Sequence, residues 1–482
     1  MSSGSSHLTA NQSIETGWWT PRLAGPLIAA AVVRLLLLTV ALIRTGTSGL
    51  AMPDTGSYAE AGRNILLHGS FTADGVPDLV RTPGYPLFLA ITSLAGLPAA
   101  AVAQVILSVL TVILVWKLSR AVFIDDRIAL IAAWIFAFEP SSIVLSVAQL
   151  SDTLFLALYL FSIERLAEFL LRHNLRVLAV SGLWLAAATF VRPVTYYLPI
   201  ALALGLFAVL LRERGLRWKA PAVLLISVLP WIAAWQIRNR VETGYSGFSS
   251  VSEINLYFHI APIILSRAEH THLTNDQFGY TPFYNWNNGQ SYLYQPYVEA
   301  HPEQAGWNQA QRLTFMHNEA IHIIRDNFGI YLRYCLTPLF KTVAGPFTSY
   351  LDSLLGIYSE QRMRTTGLID DVGVVRWAIL LAKSQPLYMA EKAFFDFVLL
   401  GLYLLAARGL FFIAQGVFRS SMQSTCLWML LGMSLYFLII SAAAGGMGAD
   451  ARYRLPVMPV VCILAAASFR STIPSRDNNL SH

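Results

Sequence analysis

The chain has 482 residues, of which 55% are hydrophobic and only 13% charged, with a mean hydropathy of +0.52 and a formal net charge of +6. Soluble domains carry roughly 25% charged residues, so this composition excludes an ordinary soluble enzyme, and its apolar content excludes disorder. Twelve Trp, 20 Tyr and 26 Phe suit a protein that meets a lipid interface on two sides. Cys335, Cys426 and Cys462 are too few and too scattered for a disulfide framework or a zinc site. The composition is that of an all-α polytopic membrane protein.

A polar tail (1–21) precedes a first apolar run at 23–43, which is too long for a signal peptide and lacks a dense basic start. It reads as a retained first helix. Further apolar stretches lie at 98–118, 127–147, 151–171, 176–191, 194–211, 221–237, 388–410, 424–444 and 453–469. Each approaches the roughly 20 residues that a bilayer span needs, giving about ten helices. Seven fall within 22–237, three within 388–469, and a second polar tail covers 470–482.

Basic residues such as Lys117, Arg120, Arg165, Arg172, Arg212, Arg217, Arg408 and Arg470 follow alternate helices. The positive-inside rule then places both termini in the cytoplasm of an inner-membrane protein. Two segments remain outside: the loop 46–97, and 238–387, long enough for a small α-rich extracytoplasmic domain. Within the latter, 303–327 has apolar residues near helical spacing and is predicted to be an amphipathic helix. No two-halves repeat of the kind common in transporters is visible.

Ionisable residues at membrane depth are costly and tend to be functional. Glu139 and Asp152 bracket the outer turn between helices 3 and 4, and Arg192 sits at the turn between helices 5 and 6. Arg238 and Arg240 follow helix 7, Arg452 and Arg454 begin helix 10, and Asp54 and Arg81 belong to the first outer loop. Arg34, inside helix 1, is expected to face the bundle. Outer loops should be poor in arginine, yet Arg81, Arg192, Arg238, Arg452 and Arg454 lie there. The planar guanidinium fork suits phosphate, so the set points to a site for a phosphate-bearing lipid.

The first outer loop reads PDTGSYAEAGRNILLHGSF and then DLVRTPGYPLFLA. In it, Asp54, Tyr58, Glu60 and Arg63 match in spacing a pattern of Asp-acid-x-x-Tyr-x-Glu-x-x-Arg, and Arg81, Pro83 and Pro86 match a basic-x-Pro-x-x-Pro stretch. On these residues the chain resembles the GT-C glycosyltransferases that use polyprenyl-phosphate sugars, in particular the protein O-mannosyltransferase and aminoarabinose (lipid A) transferase branch. EPSSIVLSVAQLSDTLFLALYL, RPVTYYLPIALAL, WQIRNRVETG and ARYRLPVMPVV resemble further parts of that family in the same order. Two positions depart from it: Thr55 stands where a second acid is common, and Asp152 where Glu is more usual. The outer domain is also shorter than in lipid A transferases, so the acceptor is not carried over.

The resemblance implies a GT-C-like bundle and an inverting transfer of a sugar from a polyprenyl-phosphate donor to an acceptor hydroxyl of a lipid, protein or polysaccharide. Asp54 is the expected general base, and its alternative role is an N-cap for the helix beginning near Ser57. Arg81 is the expected holder of the donor phosphate, with Arg452 and Arg454 either completing that site or snorkelling to the interface. Tyr58 either orients the base or touches the sugar, or simply packs. Glu60, Asp152, Arg192 and Arg238 are expected around sugar or acceptor, with pairing of Asp152 and Glu139 to Arg192 or Arg238 as the structural alternative. The aromatic and amide-rich run 278–297 suits either sugar stacking or a packed lid. His270 with His272, and His317 with His322, lack metal-site spacing, and no dense acidic cluster is present, so no required metal is expected. Nucleic acid is not an expected partner. A lipid-linked sugar flippase and a polysaccharide ligase are the rival functions.

Overall fold

The structure, a computed structural model, describes residues 20–73, 75–96, 98–270, 297, 301–345, 347–357, 374–415, 421–446 and 450–469. Within them the chain is helical apart from a two-residue hairpin, Thr72–Ala73 with Val76–Pro77. All ten apolar stretches of the sequence fall on helices. The first part of the chain forms α1 (Ala24–Thr45), α2 (Thr55–His68), α3 (Gly84–Ser93), α4 (Ala99–Phe123), α5 (Asp126–Ala137), α6 (Pro140–Val147), α7 (Asp152–Arg172), α8 (Leu175–Val191), α9 (Leu198–Val209) and α10 (Lys219–Thr243). The region after α10 contributes α11 (Val251–Ile254), a π-helical turn at 255–260, α12 (Ala261–Glu269), α13 (Gln309–Asp326), α14 (Phe328–Tyr334), α15 (Leu336–Ala344), α16 (Thr348–Leu354) and α17 (Val374–Ser384). The chain returns through α18 (Pro386–Ala414), α19 (Ser421–Ala444) and α20 (Met458–Ala467).

Five helices are long and apolar enough to cross a bilayer, namely Pro21–Thr45, Ala99–Phe123, Lys219–Thr243, Pro386–Ala414 and Gln423–Ala444. Shorter apolar helices at Leu175–Val191, Pro193–Val209 and Met458–Ala467 accompany them. This is an all-α polytopic membrane protein. In α1 the buried residues are Pro26, Ala30, Arg34, Leu38 and Ala41, a stripe at helical spacing, while Ile28, Leu35, Leu36 and Ile43 are exposed. A helix whose apolar residues face outward on most sides has lipid as its solvent.

The stretch 127–147, expected as one helix, is instead two, α5 and α6, bent by 52° at Phe138–Glu139. Pro140 supplies no N–H and cannot continue the ladder. The freed groups are satisfied locally: Glu139 accepts from the backbone N–H of Ser141 at 3.1 Å and of Ser142 at 2.6 Å. Arg34 donates Nη1–H to the Ala137 carbonyl at 2.9 Å, Nη2–H to Ser142 at 2.9 Å and Nε–H to Ser108 at 2.8 Å. Arg34 therefore faces the bundle. Glu139, expected at an outer turn, sits in the break within electrostatic reach of Arg34 rather than paired with Arg192 or Arg238.

A second core gathers Ile254, Tyr257, Phe258, Ile264, Leu313, Met316 and Tyr334 around Leu79 and Val80 of the loop between α2 and α3. Ser250 N donates to Leu79 O and Ser249 Oγ to Val80 O, both at 2.7 Å. The loop leading to Arg81 is thus built into this second core. The amphipathic segment expected at 303–327 is helical only from Gln309, because Asn308 and Gln311 form a reciprocal capping box there. Of the aromatic run 278–297, only Tyr297 lies among the described residues; it is buried and donates to Gln304 Oε1 at 2.8 Å.

Candidate active site

α1 ends at Gly46, whose φ of +66° is a backbone state that favours glycine. The chain then crosses to the segment between α6 and α7: Gln149 N donates to Leu50 O at 2.9 Å, and Thr55 Oγ1 donates to Gln149 O at 2.6 Å. Thr55 Oγ1 also accepts from Met52 N at 2.8 Å. Thr55, where the resembling family often carries an acid, is here a buried hydroxyl that fixes the start of α2. Asp54 occupies the cap position of that helix, yet its side chain makes no capping bond. Its carboxylate is left to reach outward.

Arg81 and Arg452 take its two oxygens. Arg81 Nη2 lies 3.0 Å from Asp54 Oδ1, and Arg452 Nη1 lies 2.8 Å from Oδ2. Arg81 is fixed by further contacts: Nε–H to Ser57 Oγ at 2.9 Å, Nη1–H to Tyr58 OH at 3.2 Å, and a guanidinium carbon 4.3 Å from the Tyr58 ring centroid. Burial works against the Asp54 charge, but the two guanidinium groups overcome it and hold the carboxyl well below the usual range. The Asp54 side chain remains 28% exposed, against 15% and 16% for its two arginines. The carboxylate is open to an incoming group while its partners are largely enclosed.

Each arginine has a second acidic anchor that the sequence reading missed. Asp78 is fully buried and accepts from the backbone N–H of Val80 at 2.8 Å and of Arg81 at 3.0 Å. Burial pushes its carboxyl up to about 6, against the pull of those two bonds and of Arg81 and Arg238. Asp450 Oδ1 accepts from Arg452 N at 2.8 Å, and its Oδ2 lies 3.3 Å from Arg452 Nε. Tyr350 on α16 donates its hydroxyl to Asp450 and lies under the Arg452 guanidinium, 5.6 Å from ring centroid to carbon. A carboxylate two residues before or three before an arginine is common in any loop, so no spacing signal singled these out.

Asp152, 1% exposed at the start of α7, is ion-paired to Arg192. Arg192 stacks 5.6 Å from the Tyr453 ring, and both members of this pair lie within electrostatic reach of Arg452. Tyr58 OH and Ser151 Oγ, one residue before Asp152, are 3.3 Å apart. Glu60 is half-buried on α2, and Arg63 is exposed.

Two expected residues are placed elsewhere. Arg454 donates to the carbonyls of Thr342 and Val343 at 3.0 Å and of Gly345 at 3.2 Å, at the C-terminal end of α15. With those carbonyls to satisfy, its guanidinium faces away from Asp54. Arg238 is paired to Glu242 at 2.8 Å and donates to Phe71 O at 2.8 Å, holding the first outer loop rather than meeting Asp54. Among the described residues no group of three His, Cys, Asp or Glu is arranged to hold a metal ion. His272 lies outside the described residues.

The fold and this cluster define a multi-pass membrane protein with an arginine-gripped carboxylate on the segment that follows its first helix. Residues 81–236 match the family model described as dolichyl-phosphate-mannose-protein mannosyltransferase, so the resemblance to GT-C membrane glycosyltransferases extends beyond the motifs of the first loop. No curated protein sequence matches the chain. Among solved structures, the chain is similar to ArnT from Cupriavidus metallidurans bound to undecaprenyl phosphate, at 13% identity and a TM-score of 0.39, over 92% of this chain and 78% of that one. ArnT in the apo state gives 13% and 0.36, over 92% and 77%. The archaeal oligosaccharyltransferase AglB from Archaeoglobus fulgidus, in complex with an inhibitory peptide and a dolichol-phosphate, gives 14% and 0.36, over 92% and 50%.

Proposed function

We propose that the protein is an inverting glycosyltransferase that moves a sugar from a polyprenyl-phosphate donor to an acceptor hydroxyl at the outer face of the inner membrane. The observation that carries this reading is the double grip on Asp54: one accessible carboxylate held by Arg81 at 3.0 Å and Arg452 at 2.8 Å. The family match over 81–236 supports the donor class.

A carboxylate so held is a weak base by itself. It becomes a stronger one when a second anion shares its arginines, and a donor phosphodiester is such an anion. The acceptor O–H gives its proton to Asp54 as the oxygen bonds the anomeric carbon. The bond from that carbon to the phosphate oxygen breaks, and its electron pair leaves on the phosphate. Asp54 loses one negative charge as the departing lipid phosphate gains one. The two arginines thus face the same total charge throughout and turn from the carboxylate to the phosphate. No solvent reorganisation is needed for that exchange. Asp152–Arg192 and Asp450 hold the surrounding charge in balance. No step requires a metal.

The test is transfer from a panel of radiolabelled polyprenyl-phosphate sugars by the purified protein in lipid, with membrane extract as acceptor. Transfer by wild type that is lost in Asp54→Asn supports enzyme class and base together. Transfer that survives removes Asp54 from the role. Donor binding without transfer from any donor favours the flippase.

A further inference from the structure

Outside the Asp54 cluster, a cavity of about 550 Å³ opens between the hairpin, the end of α10 and the start of α13. It is lined by Val76 and Pro77, by Val241, Glu242, Thr243 and Gly244, and by Trp307, Asn308, Gln309 and Arg312. We infer that this cavity binds one or two sugar rings of a saccharide acceptor. The inference rests on the glycosyltransferase reading and deepens it by naming the acceptor class.

Three features select a saccharide. The first is size, since pockets of about 300–1,000 Å³ hold small organic ligands and bind them through few convergent polar groups. The second is the lining itself, which sets one half-buried indole, Trp307, beside two amide side chains, a carboxylate and a guanidinium. A sugar ring offers an apolar C–H face for the indole and a rim of hydroxyls that both donate and accept, as amides do. The third is charge. Glu242 is paired to Arg238 at 2.8 Å, and Arg312 donates to Gln304 O at 3.2 Å. Acid and base in the lining offset one another, so it favours a neutral polyol over an anion.

The cavity wall also runs along the chain into the Asp54 cluster. Pro77 accepts from Gln309 Nε2 at 3.4 Å and immediately precedes Asp78, whose carboxylate holds the Arg81 backbone. Arg238 ties Glu242 to the carbonyls of Phe71 and Asp78 in the same loop. Arg81 lies four positions after Pro77, so at most about 14 Å of chain lies between the cavity wall and that arginine. That reach suits a distal ring of an oligosaccharide whose terminal hydroxyl meets Asp54.

The experiment is saturation-transfer NMR on the full-length protein in lipid nanodiscs with maltose, cellobiose and chitobiose as probes, titrated to about 20 mM, the range of weak fragment binding. At least one disaccharide is expected to bind wild type and Asp54→Asn alike. Removing a stacking tryptophan typically weakens binding at least about ten-fold, and Trp307→Ala is expected to do so here. Val241→Trp, at an exposed position on the rim, is a second variant that fills the cavity without touching the core. It is expected to abolish binding with an unchanged melting temperature. No binding to wild type, or binding that survives in both cavity variants, overturns the inference. Binding of Ser/Thr peptides in place of all three glycans, blocked by Val241→Trp, overturns the saccharide class. Glycan binding in a protein that transfers no sugar leaves the cavity standing and removes the glycosyltransferase reading.

Discussion

Arg452 reaches Asp54 from 398 residues away in sequence and binds the carboxylate oxygen that Arg81 leaves open. The turn that leads into the last helix is thereby joined to the segment after the first helix through a single carboxylate. In the proposed reaction, an anion that draws the two arginines aside would free Asp54 to accept a proton and so couple donor binding to base strength.

Asp54→Asn keeps the volume and one acceptor oxygen while removing the charge. Loss of a general base typically costs 10²–10⁴-fold, so turnover is expected to fall by about that factor at unchanged donor affinity or better. Single-turnover rates at saturating donor measure it. A loss below ten-fold would sink the base assignment.

Arg452 and Arg454 lie two residues apart and are expected to fail differently. Arg452→Lys keeps the charge but loses the fork, so the Michaelis constant for donor should rise with little change in melting temperature. Arg454→Gln leaves buried carbonyls of α15 short of a donor and should cost about 2–3 kcal/mol of stability. Thermal unfolding in nanodiscs set beside donor titrations distinguishes the two. Equal effects of both variants on donor affinity would contradict the placement of Arg454.

Arg34 and Glu139 hold the α5–α6 break. Removing one member of a buried charged set leaves the other uncompensated and costs about 3–5 kcal/mol. Arg34→Leu should therefore lower stability steeply, and Arg34→Leu with Glu139→Gln should recover part of it. A double variant no better than the single one would show that the two charges do not interact.

Asp78 titrates near 6, up from the ordinary 3.8, because burial penalises its charge. A group raised in the folded state contributes stability that is full below about 4 and is lost as pH rises through about 6. Ionised, it costs the fold about 3 kcal/mol. Asp78→Asn retains an acceptor for the Val80 and Arg81 N–H groups and carries no charge. It should raise the melting temperature at pH 8 and leave it near wild type at pH 3.5. A variant destabilised equally at both would show that the carboxylate is needed as an anion.

Thr55→Asp restores the acid common at that position in the resembling family. It should destabilise, because it sets a charge against the Gln149 carbonyl that Thr55 now serves as donor. Circular dichroism melts against Thr55→Ser, which keeps the hydroxyl, provide the comparison.

The apolar runs were legible in the sequence because lipid demands a long apolar surface from each helix. All ten stretches proved helical for that reason. Asp54, Tyr58 and Arg81 were legible because short-range spacing along one loop survives folding: Tyr58 sits one helical turn from Asp54, and Arg81 returns to both. Arg452 was legible only as a surplus arginine outside. The sequence did not reveal Asp78, Tyr350 or Asp450, since their roles depend on what lies opposite them. It also placed Glu139 at a surface and grouped Arg454 with Arg452. A hydropathy run does not register a 52° break at Pro140, and neighbours in a 3₁₀ turn point to different sides. Composition and periodicity thus determined that the chain lives in a membrane, and local spacing singled out the loop that holds Asp54 and Arg81. Tertiary structure alone decided which charges meet, because electrostatic partnership depends on distance through space, and a salt bridge across 398 residues leaves no mark along the chain.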